Sequence, residues 1–189
     1  MSLFPCAVNR WFWLTKKAGL TLGVAALTLG LAAAAGAQTA AAATPEEKAV
    51  VEVGGVAEHG LNGGGGAGGV DLGVEWTPIP DKLELEAGTS LTFARGGGRE
   101  WDSDFLFKKP WTLSPHAEFM LGAGPEFQHA SAHGVSSNAL AGEVAGDFMF
   151  WPGSGHRFGW FIEPSVDQSF TSGHERSASV SIGLLIAIR

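Results

Sequence analysis

The sequence predicts an all-β chain that closes as an eight-stranded antiparallel up-and-down transmembrane β-barrel. Three observations predict it. Residues 177–188 alternate strictly, with Ala178, Val180, Ile182, Leu184, Ile186 and Ile188 on one face. Ser177, Ser179, Ser181, Gly183, Leu185 and Ala187 lie on the other. That is the period-two pattern of a strand with one oily side. Seven earlier segments alternate in the same way, and all eight follow a segment built like a secretory signal.

That signal is expected to span residues 1–37. Arg10, Lys16 and Lys17 make a positive beginning, residues 18–35 are apolar and uncharged, and Ala35-Gly36-Ala37 fits a small-residue cleavage site. The apolar run approaches the ~20 residues of a spanning helix. Its Ala and Gly content and the cleavage pattern favour removal. The mature chain then begins near Gln38, with a short lead over 38–47 and a barrel domain over 48–189. Cys6 is lost with the signal, which leaves neither disulfides nor thiolate chemistry. A closed barrel supplies stability by another route, because every backbone group pairs with a neighbouring strand.

All 19 Asp and Glu follow Ala37, but only 9 of the 12 Lys and Arg do, so the mature chain carries −10 (9 − 19) with His neutral. There is no basic patch, which argues against a nucleic-acid partner.

The strands are read in order. The first covers about 48–58. The second, 69–76, sets Val70, Leu72, Val74 and Trp76 against Asp71, Gly73 and Glu75. The third, 82–94, opposes Leu83, Leu85, Ala87, Leu91 and Phe93 to Glu84, Glu86 and Gly88. The fourth, 101–108, places Trp101, Phe105 and Phe107 opposite Asp102, Asp104 and Leu106. The fifth, 116–129, sets Phe119, Leu121 and Phe127 against Glu118, Gly122 and Glu126. The sixth, 140–151, opposes Val144, Phe148 and Phe150 to Glu143, Ala145 and Asp147. The seventh, 157–170, sets Phe158, Trp160, Ile162 and Val166 against Gly159, Glu163 and Asp167. The eighth is the terminal strand.

The connections are of two kinds. Those at 77–81, 109–115 and 152–156 carry proline, and those at 60–68, 95–100, 131–138 and 172–176 are rich in Gly, Ser or charge. Three of one kind and four of the other suit eight strands whose two ends lie on one side. The proline-bearing turns are assigned to the periplasm and the others to the exterior. Trp76, Trp111 and Trp151 sit beside the proline turns and read as an interfacial aromatic girdle. Trp101, with Phe93, Phe127 and Phe170, reads as its counterpart at the other end.

Alternation alone fits a soluble barrel too, with the oily face inward. The polar positions decide against it. They are almost all acidic, Gly or Ser, whereas a soluble surface mixes both signs, and interfacial Trp has no role in water.

Several segments also carry a resemblance. They are Glu75-Trp76-Thr77-Pro78-Ile79-Pro80-Asp81-Lys82, Arg99-Glu100-Trp101-Asp102-Ser103-Asp104-Phe105, Gly124-Pro125-Glu126, Asp147-Phe148-Met149-Phe150-Trp151-Pro152 and Gly159-Trp160-Phe161-Ile162-Glu163-Pro164. Through them, residues 69–189 resemble a family of small, mostly uncharacterised Gram-negative outer-membrane β-barrel proteins, of OmpA-like architecture. The resemblance implies an eight-stranded barrel in the cell outer membrane, in contact with outer-membrane lipid and with the outer-membrane assembly machinery. It brings no activity with it. Strands of this kind often end in an aromatic residue, whereas this chain ends in Arg189.

With the oily face on lipid, Glu84, Glu86, Asp104, Glu118, Glu126, Glu143, Asp147 and Glu163 share the lumen. Lys82, Lys108 and Arg157 are its expected basic partners. An eight-stranded barrel is only wide enough to be filled by side chains. Crowded carboxylates there cannot all stay charged, so they are protonated, paired, hydrated or bound to cations. A network of salt bridges and water is the plainer reading, and a cation-attracting lumen the sharper one. No loop has a calcium-binding pattern, and no metal site or cofactor is expected. His129, His133, Ser131, His174 and Glu175 gather no nucleophile motif, so no catalytic residue is assigned. The expected role is structural or surface-interacting, with an unknown ligand. The alternatives are a narrow cation-selective pore or small-solute transporter, and an outer-leaflet lipid-modifying enzyme.

Overall fold

The computed structural model describes residues 49–171 and 174–188. The expected signal segment 1–37, the expected lead 38–47 and Arg189 lie outside them. Eight strands follow one another: β1 (Ala49–Gly60), β2 (Gly66–Ile79), β3 (Leu83–Ala94), β4 (Arg99–Ser114), β5 (Ala117–Ala132), β6 (Val135–Phe150), β7 (Phe158–Ser169) and β8 (Arg176–Ile188). Each pairs antiparallel with the next, and β8 closes on β1 through twelve registered pairs from Ala49↔Ile188 to Gly60↔Ser177. Strands of 12 to 16 residues exceed the ~9–11 that a tilted strand needs to cross a bilayer.

The alternation seen in the sequence becomes two faces. Val70, Leu72, Leu121, Leu140, Val144, Val180, Ile182 and Leu184 stand exposed on the outside. Glu52, Glu75, Glu86, Glu126, Asp147 and Asp167 are buried inside. A protein built to sit in water has these two classes the other way round.

The strands run further than the sequence suggested. β4 continues through Pro110 and Trp111 to Ser114, over residues read as a loop. Its register with β3 ends at Glu84↔Lys108, while its pairing with β5 goes on to Ser114↔Ala117. Pro110 therefore sits where β4 has one neighbour, which is where a strand tolerates a missing N–H. The span 131–138, also read as a loop, is a hairpin. Its turn is His133-Gly134 alone, at φ 52° and 80°. Both central residues at positive φ suit the twist of paired strands.

The turns at Pro80, Pro115 and Pro152 lie at one end, here called the proline rim, together with Ala49 and Ile188. The turns at 61–65, 95–98 and 133–134, with residues 170–171 and 174–175, form the glycine rim.

Candidate functional site: the acidic lumen

The centre of the lumen is one cation. Lys108, on β4, is 1% exposed. Its Nζ donates to Glu163 Oε2 at 2.6 Å and to Glu75 Oε1 at 3.0 Å. It also contacts Glu86, and Asp147 Oδ2 lies 3.7 Å away. Carboxylates from β2, β3, β6 and β7 thus converge on one ammonium. A lysine has three donors and no acceptor, so Glu163 and Glu75 take direct bonds while Asp147 takes the charge alone.

The local sequence makes room for this arrangement. Gly122 faces Lys108 across the β4–β5 ladder. A Cβ at Gly122 would stand 2.5 Å from Lys108 Cγ. Gly88 opposes Asp104 in the same way, and a Cβ there would stand 2.5 Å from a carboxylate oxygen. Small residues opposite long ones let a narrow barrel hold so many side chains.

Below Lys108, toward the proline rim, the lumen turns apolar. Val50, Met120, Met149, Trp151, Phe161 and Leu185 form one buried cluster. Trp151 stacks on His156 at 5.4 Å, and His156 bonds the Pro115 carbonyl at 2.9 Å through Nε2. Above Lys108 lies a cavity of about 70 Å³. Ten carboxylates line it (Glu52, Glu58, Asp71, Glu86, Asp102, Asp104, Glu126, Glu143, Glu163 and Asp167), along with seven Ser and Thr residues.

Strand pairing sets like charges face to face. Glu75 opposes Glu86, Asp104 opposes Glu126, and Glu143 opposes Asp167. Such pairs destabilise a sheet unless something intervenes. Lys108 intervenes for the first pair.

The expected site residues divide into those inside and those elsewhere. Glu86, Asp104, Glu126, Glu143, Asp147 and Glu163 meet in the lumen, as the alternation implied. Glu84 is half-buried and accepts from Thr77 Oγ1 at 2.9 Å. Glu118 is half-buried beside the apolar layer, opposite Met149. Of the three expected bases, only Lys108 is buried among them. Lys82 is exposed in the β2–β3 turn. Arg157 is exposed before β7, with its guanidinium 5.6 Å from the Phe158 ring. Both sit in turns, where strand parity no longer directs a side chain inward.

The girdle needs one correction. Trp76, Trp111 and Trp101 keep to the outer face, Trp76 being half-buried against Phe105 at 5.8 Å. Trp111 stacks on Phe119 at 5.6 Å, with Lys109 Nζ 5.3 Å from the indole. Trp101 donates from Nε1 to Thr89 Oγ1 at 2.6 Å. Trp151 is not interfacial. It is 2% exposed and points into the lumen. Its proximity to Pro152 suggested the girdle, but it falls in phase with Asp147 and Met149, which face inward. Trp160, stacked on Phe150 at 4.1 Å, takes the outer position instead. The apolar layer itself was missed. Its signal was apolar residues such as Met149, Phe161 and Leu185 falling in phase with acids.

No protein-family model matches the sequence, and no curated protein does. Solved structures do match. The chain is similar to Neisserial surface protein A, at 12% identity and a TM-score of 0.58, over 74% of this chain and 96% of that one. It is similar to Ail, the attachment invasion locus protein of Yersinia pestis, at 14% and 0.52, over 76% and 100%. OprG from Pseudomonas aeruginosa gives 10% and 0.52, over 77% and 99%. At these identities the likeness is one of fold, and the fold is that of small eight-stranded outer-membrane barrels.

Proposed function

We propose that this chain is an integral outer-membrane β-barrel protein with a structural or surface-interaction role, and that its lumen is closed to solute. The observation that carries this reading is the stopper in the lower lumen. Lys108 is held by four carboxylates directly above six apolar side chains, Val50, Met120, Met149, Trp151, Phe161 and Leu185. An ion entering from the glycine rim would meet an occupied ammonium and then a dry layer, where a charge costs far more than in water. This disfavours the pore reading, although the acidic cavity above would attract cations. The apolar outer belt with aromatics toward both ends supports residence in a bilayer. A non-catalytic role is part of the proposal. His129 spends Nδ1 on Asn138 Oδ1, at 2.5 Å, and activates no hydroxyl.

The test is fractionation followed by planar-bilayer recording. The expected result is recovery with outer membranes, heat-modifiable gel mobility and no stepwise conductance. Soluble recovery would sink the membrane reading. Regular cation-selective steps would overturn the closed lumen.

A further inference from the structure

The upper cavity gathers more carboxyl groups than any base beside it can pair. Its lining carries ten carboxylates and, among the described residues, no basic side chain. Lys108 reaches two of the ten, Glu86 and Glu163, at the cavity floor, and is shared with Glu75 and Asp147 below, which leaves eight with no basic partner among the described residues. Within this cavity three carboxylates from consecutive strands come together: Glu126 of β5, Glu143 of β6 and Asp167 of β7. Each offers one oxygen, and these oxygens all lie within 4.8 Å of one another.

Two of the three are prepared in the same way. Gln128 Nε2 donates to Glu126 Oε1 at 3.4 Å, and Ser177 Oγ donates to Asp167 Oδ2 at 3.0 Å. The second oxygens, Glu126 Oε2 and Asp167 Oδ1, are buried with no donor from another residue, and the two carboxyl groups lie within hydrogen-bonding reach of each other. The residues that carry them are 6% and 7% exposed. A buried acceptor left bare costs roughly 1–3 kcal/mol, and more when charged. Here two such acceptors share one small space with a third acid.

We propose that Glu126, Glu143 and Asp167 form a binding site for a hard divalent cation, with calcium the best match. Calcium takes oxygen ligands at about 2.3–2.6 Å, so two ligands of one ion stand at most about 5 Å apart. The observed spread falls inside that limit. Magnesium, at about 2.0–2.1 Å, demands near-ideal octahedral geometry and sheds its water reluctantly, which suits a cage of three protein carboxylates less well. Water completes the shell, since the cavity has room for it and hydroxyls to hold it. The ion changes the sign of the Glu143–Asp167 apposition. Two repelling neighbours become two ligands of one charge, which ties β5, β6 and β7 together below the glycine rim.

The experiment uses the full chain purified from membranes in detergent and stripped with a chelator. Calcium chloride is titrated at pH 7.5 by calorimetry, and thermal melting is followed with and without it. The expected result is one ion per barrel and a raised melting temperature. The double variant Glu126→Gln/Asp167→Asn keeps size and shape, and should bind calcium at least tenfold more weakly. Its stripped form should melt above the stripped wild type, because the repulsion is gone. Glu143→Gln removes a single charge and should weaken binding too. Glu58→Gln, on the same cavity wall but outside the trio, should bind as the wild type does. No uptake by the wild type would overturn the proposal. So would unchanged binding in the double variant or in Glu143→Gln, or an equal loss in Glu58→Gln.

Discussion

Lys108 shows how much one residue can carry in a barrel this narrow. It lies between the dry lower layer and the acidic upper cavity, and it contacts acids from four strands. Replacing it with Met would leave those carboxylates facing one another without a counter-charge. Loss of one partner from a buried ion network costs roughly 3–5 kcal/mol. We expect Lys108→Met to lose about that much, read by denaturant unfolding in lipid vesicles. Adding Glu75→Gln and Glu86→Gln should restore most of it, because whole buried networks can be exchanged for neutral groups at little cost. Lys108 was legible in the sequence as a base in phase with the acids of its strand, and Lys82 and Arg157 gave the same signal at the first positions of theirs. Lys82 and Arg157 were misread because a turn erases phase. Trp151 was misread because nearness to a proline was weighed above the phase of its own strand. No pattern of spacing could have shown that Glu126, Glu143 and Asp167 converge. They come from three strands, and only the registers between β5, β6 and β7 bring them together.

Strands and turns differ in how much composition reveals. Every strand was visible, because a half-buried strand writes its two faces into alternate residues. The ends were less visible. Serine, histidine and glycine around residues 131–138 read as a loop, yet all but His133 and Gly134 pair in β5 and β6. Beyond the bilayer a strand no longer needs an oily face, so Ser136 and Ser137 stand exposed while still hydrogen-bonded in the ladder. The turn depends on backbone shape. Gly134 sits at φ 80°, with open space where a Cβ would go. Any loss there comes from strain and not from a clash. A β-branched residue pays about 1–2 kcal/mol in that region. Gly134→Val should therefore lower stability by about that amount in the same unfolding assay. Gly65→Val, with equally open space and no positive φ, should cost less.

For the molecule as a whole, the outer surface is the decisive feature. Leu72, Leu121, Val144 and Ile182 would be a liability in water, and together they form a belt suited to hydrocarbon. The depth of a position in that belt sets its tolerance to charge. Ile182, midway along β8, should lose roughly 2–4 kcal/mol on mutation to Arg. Leu113, exposed at the proline rim, should lose about 0–1. Equal costs at the two positions, measured by folding into vesicles, would remove the belt from the account.

The pairing of β1 with β8 also has a consequence in time. Twelve residue pairs join the earliest strand to the latest, and they are the most distant partners along the chain. Until residues 176–188 are delivered, β1 and β7 each keep an open edge. Every bare peptide group on such an edge costs several kcal/mol in hydrocarbon. A half-made cylinder has nowhere comfortable to wait. The chain must be held in water, or at the surface, until its final segment arrives to fasten the ring. The oily outer residues are thus dangerous cargo for the whole interval before closure, and harmless the moment after.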